Sequence, residues 1–261
     1  MVDINISGLK KSVVGAKIPK PVSGTLSGHA AGEPFDKFVY ARLQKMHPGK
    51  VYRQYEYLNS LYQKNSHAIT LGERKKLFAS PTALFMLSRG ESATKKWKED
   101  NLFEEKQDDT ADILISEGND YLLIDVKTRN MSKTALPPNI ISSYKLAWMC
   151  KYMIDNNEFD VLKLNYIEVD WELQDKFLVC VDAHHAELFK ENPDNLYINW
   201  AAAMQIQFHV SSLEQDYDKS VKQWCYSYLK FYQSEYKKFR KEELVSEKEK
   251  IEQELYRLEL N

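Results

Sequence analysis

The chain has 261 residues, of which 43% are hydrophobic and 28% charged, so its composition is that of an ordinary globular protein with one large domain, or one domain with an appended element. Its 36 lysines and arginines against 38 aspartates and glutamates give a formal net charge of −2. This charge counts against a protein that coats nucleic acid without specificity, but it allows a locally basic cleft. No stretch approaches the about 18 apolar residues of a membrane span.

The cysteines and the N-terminal residues predict a cytoplasmic protein that does not enter a membrane. Cys150, Cys180 and Cys225 are too few and too widely spaced for a disulfide framework or a zinc site. We expect free thiols in a reducing compartment. The first residues also lack the continuous apolar core of a signal peptide.

The first part of the chain is predicted to be mainly helical. Residues 1–32 are irregular and end in a glycine-rich stretch that is no phosphate loop, because the Gly-Lys-Ser/Thr ending is absent. A helix is predicted to begin with Pro34 in its first turn. Its apolar residues follow at helical spacing, at Phe35, Phe38, Val39 and Leu43. The pattern of residues 70–100 predicts a basic helical segment that contains Arg89, Lys95 and Lys96.

The later part of the chain alternates between strand and helix patterns. A hairpin at 111–127 is followed by a helix that ends near Asp155, and by strands at Lys163–Trp171 and Lys176–Asp182. The pair His184-His185 is expected in a solvated loop. From about Leu213 a charged, aromatic-bearing helical pattern continues into an amphipathic tail. The class is therefore α/β, with a mixed sheet flanked by helices.

The hairpin is the most informative segment. Apolar runs at 111–115 and 121–127 lie on either side of the turn signal Gly118-Asn119. If these two residues form the loop, the pairs are Glu117 with Asp120, Leu114 with Leu123, and Asp112 with Asp125. A four-residue loop from Glu117 to Asp120 gives the same register.

This register brings two carboxylates and an ammonium group together. Directly opposed residues have Cβ atoms about 4.5–5.5 Å apart, where like charges repel. Lys127, two residues after Asp125, points to the same face as Asp125. Hard oxygen ligands at this spacing suit a divalent cation such as Mg²⁺, which relieves the repulsion and activates a water. Asp112, Asp125 and Lys127 therefore predict a metal-dependent phosphodiesterase site.

The alternative is a solvated hairpin with scattered charge, because Asp…(Asp/Glu)-x-Lys is a common pattern. Three other Glu-x-Lys triplets begin at Glu73, Glu104 and Glu235, but none has the strand–turn–strand context. The apolar run before Asp125 favours the metal site, since an ionised aspartate in an apolar strand is costly unless it is paired or metal-bound.

Several blocks of the sequence resemble HincII/HindII-type restriction endonucleases. These blocks are residues 23–35, 101–107, 109–114, 125–130, 138–142, 168–173 and 197–210. The resemblance implies a restriction-endonuclease-like PD-(D/E)xK fold, with a central mixed β-sheet flanked by helices and a helical C-terminal extension. Residues 1–212 are expected to form the catalytic and DNA-recognition domain. Residues 213–261 are expected to be the extension, packed on the same domain.

The resemblance also implies a type II restriction endonuclease that uses Mg²⁺ to cut both strands of a short palindrome. A GTYRAC-like site, blunt ends, 5′-phosphates and a methyltransferase that protects the same site are implied with it. A palindrome cut in both strands needs two active sites related by a two-fold axis, so a homodimer also follows from the chemistry. The alternatives are a repair or phage-type nuclease without strict sequence specificity, and a catalytically silent DNA-binding relative.

Individual roles are implied in the same way. Asp112, Asp125 and the carbonyl of Val126 are the expected metal ligands, and Lys127 orients or helps to deprotonate the attacking water. Glu33 is an accessory acid, or only a helix-start residue beside Pro34. The expected DNA contacts are Gln107, Thr128, Arg129, Leu136, Asn139, Asn199, Ala202 and Gln205.

Two segments are expected to read or deform the bases. Asn199, Gln205 and Gln207 carry amides that can pair with purine edges. For Gln205 and Gln207 the favoured alternative is a buried position with the polar groups satisfied internally. Related enzymes have a glutamine where this chain has Leu136. An apolar side chain at this point is expected to wedge between base steps.

Overall fold

The computed structural model describes residues 5–20, 29–54, 56–57, 70–87, 111–202 and 204–259. The helices are α1 (Ile6–Val13), α2 (His29–Met46), α3 (Leu71–Phe78), α4 (Pro81–Leu87), α5 (Ser143–Asn156) and α6 (Val221–Glu259). The strands are β1 (Lys17–Pro19), β2 (Val51–Arg53), β3 (Ile113–Glu117), β4 (Asp120–Asn130), β5 (Asn139–Ser142), β6 (Leu162–Gln174), β7 (Phe177–Glu187), β8 (Tyr197–Asn199) and β9 (Gln205–Gln207). Short 3₁₀ helices lie at Leu188–Lys190, Pro193–Asn195 and Val210–Ser212.

The strands form two sheets. The larger sheet has the order β1-β7-β6-β4-β3-β2, and the smaller has the order β5-β9-β8. In the larger sheet β4 and β6 run parallel, while the other neighbouring strands are antiparallel. A parallel pair needs a crossover connection, which β5 and α5 supply. The sheet is therefore mixed, as the sequence predicts.

Hydrophobic cores lie on both faces of the larger sheet. Successive residues of β4 alternate between them, because side chains of a strand point to opposite faces. Leu123 packs in the core that contains α5, and Leu122 and Ile124 pack in the core that contains α1 and α2. Helices thus flank the sheet on two sides, which is the predicted α/β layering.

Helix α2 begins earlier than predicted. It starts at His29, so Pro34 lies inside the helix and not in its first turn. A proline there removes one i→i−4 hydrogen bond. Burial of Phe35, Val39 and Leu43 against the sheet, at successive turns of one face, offsets this loss.

The basic stretch predicted at 70–100 contains two short helices in its described part, α3 and α4. Ser80 and Thr82 both donate to Glu158 Oε2 at 3.0 Å, and this carboxylate caps the start of α4. Arg89, Lys95 and Lys96 lie outside the described residues.

Strands β6 and β7 are longer than predicted, and the prediction of a solvated loop at His184-His185 is wrong. Both histidines lie within β7. His185 Nε2 is 2.7 Å from Asn165 Oδ1, and His184 Nε2 is 3.2 Å from Asp170 Oδ2. Partners on the neighbouring strand β6 therefore satisfy these rings and let the strand continue.

The long helix α6 packs on the body of the protein through its first turns. Trp224, Cys225 and Tyr228 are fully buried, and Tyr228 Oη donates to the carbonyl of Ser143 at 2.7 Å. All three cysteines of the chain are free, as predicted. Among the described residues, no helix is both long and apolar enough to cross a membrane.

Candidate active site

The hairpin of β3 and β4 has the predicted register. Glu117 pairs with Asp120 and Leu114 with Leu123, and the ladder ends with the pair Ile113 and Ile124. Gly118 has a φ of 55°, whereas Asn119 is not among the residues with positive φ. A glycine with positive φ at the first of two loop positions is the signature of a type II′ turn. The next step of this register places Asp112 opposite Asp125.

The structure brings Asp112, Asp125 and Lys127 together. Asp112 lies in the bend just before β3, and its Oδ2 accepts a hydrogen bond from the Val126 amide at 2.8 Å. The carboxyl group of Asp125 is near enough to raise the pKa of Asp112. Lys127 Nζ lies 2.7 Å from Asp125 Oδ2. The two carboxyl groups and the ammonium group thus form one contact cluster at the end of the hairpin.

The carboxylate pair is electrostatically strained. The pKa of Asp112 is raised to about 7, chiefly by burial and next by the neighbouring charge of Asp125. The Val126 amide and the charge of Lys127 oppose this rise. Near neutral pH the Asp112 carboxyl group is therefore only partly ionised. A divalent cation relieves the same repulsion.

The donor set of the cluster fits such a cation. The N–H and C=O of one strand residue point to the same side, so the carbonyl of Val126 lies on the side of β4 that its N–H shares with Asp112. Two carboxylates and a carbonyl are hard oxygen ligands. In the described part of the chain there is no group of three or more His, Cys, Asp or Glu suited to a metal. Few protein ligands and several waters are the usual arrangement for Mg²⁺.

Asp36 of α2 is a neighbour of this cluster that the sequence did not reveal. Its two carboxylate oxygens lie 2.6 and 2.7 Å from Arg53 Nη1. Burial raises the pKa of Asp36, the hydrogen bond from Arg53 lowers it, and the charge of Asp112 raises it. The sequence signal that could have indicated Asp36 is its position directly after Phe35, which belongs to the apolar face of α2.

Glu33, the predicted accessory acid, is exposed and pairs with Lys37 one turn later at 2.6 Å. This hydrogen bond lowers the pKa of Glu33. The start of α2 is nevertheless near the active strand, because a Cβ built on Gly32 would lie 3.9 Å from Thr128 Oγ1. The accessory role of Glu33 stays a prediction.

Glu168 is a second residue that the sequence did not single out. It is fully buried on β6, paired in register with Lys127 of β4. Its carboxylate lies 2.8 Å from His209 Nδ1 and accepts from the amide of Ser211 at 3.2 Å. His209 Nε2 lies 3.3 Å from the carbonyl of Ala135. Glu168 and His209 therefore link β6, beside Lys127 of β4, to the loop before β5.

The predicted DNA contacts are distributed around this region. Thr128 and Arg129 follow Lys127 in β4, and Arg129 Nη1 is 3.5 Å from Ser211 Oγ. Leu136 is 87% exposed in the loop between β4 and β5. Gln107 lies outside the described residues, and so do the matching blocks at 101–107 and at 23–28.

The amide-bearing residues lie in the smaller sheet. Asn139 begins β5, Asn199 ends β8, and Ala202 lies in the turn between β8 and β9. Gln205 is only 3% exposed, and its Oε1 has no hydrogen-bond partner. Gln207 is half-buried and hydrogen-bonds both Asn199 and Asn139. Of the two glutamines, Gln207 is thus the one in contact with the predicted base-reading asparagines.

In the metal-free protein, the free energy of unfolding is expected to fall as the pH rises from about 4 to about 7. The folded chain keeps the Asp112 proton up to a pKa of about 7, against an ordinary value of 3.8, so the folded state binds more protons in this range. The stabilisation that the retained Asp112 proton provides is complete below pH 3.8 and is lost as the pH rises through about 7. Chemical denaturation with a chelator should show a shallower fall for Asp112→Asn, whereas the exposed-site control Asp218→Asn should behave as wild type. Equal slopes for wild type and Asp112→Asn would contradict this prediction.

Comparisons with known proteins agree with this architecture. The model of the restriction endonuclease HincII family matches residues 9–251. The type II restriction enzyme HindII of Haemophilus influenzae strain Rd is 57% identical over 220 residues, which are 84% of this chain and 85% of that enzyme. The type II restriction enzyme HincII of Haemophilus influenzae has the same identity and coverage. A solved structure of NlaIV restriction endonuclease, 13% identical, covers 47% of this chain and 52% of that chain with a TM-score of 0.28, which is too low to support an inference.

The mixed sheet with flanking helices and the C-terminal helix is the restriction-endonuclease-like fold of the PD-(D/E)xK nucleases. The chain belongs to the HincII restriction endonuclease family. The predictions of this fold class and of a type II restriction endonuclease are therefore confirmed.

Proposed function

We propose that this endonuclease uses Mg²⁺ to cut both strands of a short, GTYRAC-like palindrome at its centre, leaving blunt ends and 5′-phosphates. The contact cluster of Asp112, Asp125 and Lys127 is the observation that carries the proposal. A paired-carboxylate site beside one ammonium group is suited to phosphodiester hydrolysis, in which negative charge builds up on the transferred phosphoryl group.

Asp112, Asp125 and the carbonyl of Val126 would hold the metal. When bound, Mg²⁺ polarises the scissile phosphate and lowers the pKa of a coordinated water. The Val126 amide keeps the Asp112 carboxylate in place through its hydrogen bond of 2.8 Å. Glu33 is at most an accessory acid, since its carboxylate is exposed and paired with Lys37.

Lys127 has two tasks in this proposal. Its ammonium group orients the attacking water or stabilises the hydroxide that forms when this water releases its proton to bulk solvent, and it stabilises the charge that develops on the phosphate. The ion pair with Asp125 and the low exposure of both side chains, 18% and 11%, hold the ammonium group in one position. Such preorganisation is effective because little rearrangement is needed when the reaction occurs.

The DNA is held by residues on both sheets. Thr128 and Arg129 would contact the scissile phosphate or its neighbour, and Gln107 would be a further DNA contact. Asn139, Asn199, Ala202 and Gln205 would contact base edges. Two copies related by a two-fold axis would cut the two strands of the palindrome. A methyltransferase of the same specificity would protect the host DNA without forming a complex with the enzyme.

The proposal is tested by digesting plasmid DNA of known sequence with the purified chain and Mg²⁺. Discrete bands are expected, and chelation of the metal should abolish them. A smear, cutting that needs DNA ends, or equal activity with a chelator present would contradict the proposal.

Leu136 is proposed to insert between the central base steps, because a large apolar side chain that is 87% exposed lies in the loop tied to the active strand. Leu136→Ala should lower cleavage by about 10–100-fold, since inserted side chains compensate for unstacking worth a few kcal/mol per step. It should leave the melting temperature unchanged. Fluorescence of 2-aminopurine at the centre of the site reports unstacking directly.

The matched control is Met131→Ala, another exposed apolar residue of the same loop. Unchanged central 2-aminopurine fluorescence on binding of the wild-type enzyme would contradict the insertion of Leu136.

A further inference from the structure

A chain of hydrogen-bonded amides crosses the smaller sheet. The backbone amide of Ala202 donates to Asn199 Oδ1 at 3.1 Å. Asn199 Nδ2 donates to Gln207 Oε1 at 3.0 Å, and Gln207 Nε2 donates to Asn139 Oδ1 at 2.7 Å. Gln207 is thus the central member and joins one asparagine of β8 to one of β5.

The direction of this chain is fixed at one end. Side-chain amides can ordinarily be turned over, because their oxygen and nitrogen have similar shapes. A backbone N–H can only donate, so Asn199 must turn its oxygen to Ala202 and its NH₂ group to Gln207. The same logic forces Gln207 to turn its NH₂ group to Asn139. Turning over any one member would set two donors or two acceptors against each other.

The fixed end is itself held firmly. The turn after β8 has two backbone hydrogen bonds of 3.2 Å, from Ala202 to Asn199 and from Gln205 to Ala202. Met204 in this turn has a φ of 56°. Trp200, next to Asn199, stacks on Phe239 of α6 with ring centres 4.8 Å apart and planes 9° apart. The Ala202 amide therefore has a defined direction before any DNA binds.

The hydrogen count decides what this chain presents to a ligand. Each NH₂ group carries two hydrogens. Within this series of hydrogen-bonded amides, Asn139 donates neither of its two NH₂ hydrogens, and Asn199 donates one. Within the part of the chain that the structure describes, both asparagines thus have free donors, while the oxygen of each already accepts one hydrogen bond. In the major groove, guanine presents only acceptors, O6 and N7, whereas adenine presents N6 as a donor beside its N7.

We propose that Gln207 is a positioning residue for base recognition, which holds Asn139 and Asn199 with their donors available and so directs them to the O6/N7 edge of guanine. The inference rests on the proposed function, in which both asparagines contact bases. In this proposal Gln207 contacts no base itself, but it determines which base Asn139 and Asn199 recognise.

The test compares DNA binding to the cognate duplex and to the same duplex with guanine replaced by 7-deazaguanine, which lacks the N7 acceptor. The duplex is taken from the cleavage site that the wild-type enzyme selects. For the wild type, the replacement at one guanine of each half-site should weaken binding by about 5–100-fold, as for the loss of a specific base contact. Replacing adenine by 7-deazaadenine should change binding less than about twofold, because the proposal assigns the donors to guanine.

Two variants separate a positioning role from a structural one. Gln207→Leu removes both hydrogen bonds, and Gln207→Glu reverses the last one, because a carboxylate accepts from both asparagines and turns the oxygen of Asn139 outward. Both variants should bind the cognate duplex more weakly. The 7-deazaguanine penalty should shrink to about twofold or less in Gln207→Leu, and by at least about half in Gln207→Glu, in which Asn199 keeps its orientation. Gln174→Leu, the same change at an exposed glutamine of β6, should keep the full penalty.

The outcomes are distinguishable. A full 7-deazaguanine penalty in either folded Gln207 variant overturns the inference, even if that variant is less stable. If Gln207→Leu does not fold, Gln207→Glu decides alone, since it preserves the shape of the side chain. A wild-type enzyme that selects no site at all contradicts the proposed function instead, and is recognised before any variant is made.

Discussion

Replacing Lys127 by alanine or Asp125 by asparagine should slow DNA cleavage by about 10³-fold or more, the size expected when a group that transfers a proton or stabilises transition-state charge is removed. The ammonium group of Lys127 and the carboxylate of Asp125 are 2.7 Å apart. Each variant therefore removes one functional group and also releases its partner. The rate should be measured in single-turnover experiments, so that product release does not hide the chemical step.

Binding of DNA without metal separates this effect from misfolding. Asp125→Asn should bind the duplex at least as tightly as the wild type, because it removes a negative charge from a site that receives phosphate. Lys176→Ala, at an exposed lysine between β6 and β7, should cut at the normal rate. A cleavage rate within tenfold of wild type for Lys127→Ala or Asp125→Asn would remove the cluster from the mechanism.

Replacing Trp224 by alanine should lower the free energy of unfolding by about 3–5 kcal/mol, the usual cost of deleting a buried aromatic side chain. Trp224 is fully buried near the start of α6. Its indole Nε1 donates to the carbonyl of Glu191 at 2.7 Å, and its ring stacks on Tyr228 with centres 5.2 Å apart. The variant leaves a cavity and also an unpaired carbonyl, and both effects destabilise the fold.

This second prediction also tests the proposal that residues 213–261 pack on the same domain as the catalytic residues. Urea denaturation should show one transition that moves to lower denaturant concentration in Trp224→Ala. The control is Tyr226→Ala on the same helix, since Tyr226 is 46% exposed and its removal should cost little. A loss below about 1 kcal/mol for Trp224→Ala would mean that α6 contributes little to the fold.

The β3–β4 hairpin was predictable because its determinants are local. The alternation of apolar residues, a Gly-Asn loop and the two-residue period of a strand together fixed the register of Asp112 and Asp125. One residue of slip would have placed Asp125 on the opposite face from its partner. Few other segments of this chain carry turn chemistry and periodicity that agree so closely.

The neighbours of the cluster were not predictable, because their partners are distant in sequence. Asp36 pairs with Arg53, 17 residues away, and Glu168 contacts His209, 41 residues away. No local pattern links such residues; only packing of α2 and β6 against the hairpin brings them together. The start of α2 was predicted too late for a related reason. A proline usually marks the first turn of a helix, but burial of Phe35 against the sheet outweighs this local preference of Pro34.

The two glutamines of β9 illustrate the same limit. Gln205 and Gln207 are two residues apart on one strand, so the sequence gives them equivalent positions. The pairing of β9 between β5 and β8 distinguishes them, because it buries Gln205 and sets Gln207 between Asn139 and Asn199. The side chain of Gln207 forms its hydrogen bonds within the protein, as the alternative interpretation expected. The proposed role of Gln207 rests on these two hydrogen bonds.

Sequencing the ends of a complete digest tests the central claim most directly. A long DNA of known sequence is cut with the wild-type chain and Mg²⁺, and every end is read on both strands. The account predicts one short palindromic sequence at all ends, related to GTYRAC, with both strands broken at its centre and a 5′-phosphate on each product. Ends that share no sequence, or strands broken at different positions to leave an overhang, would contradict it.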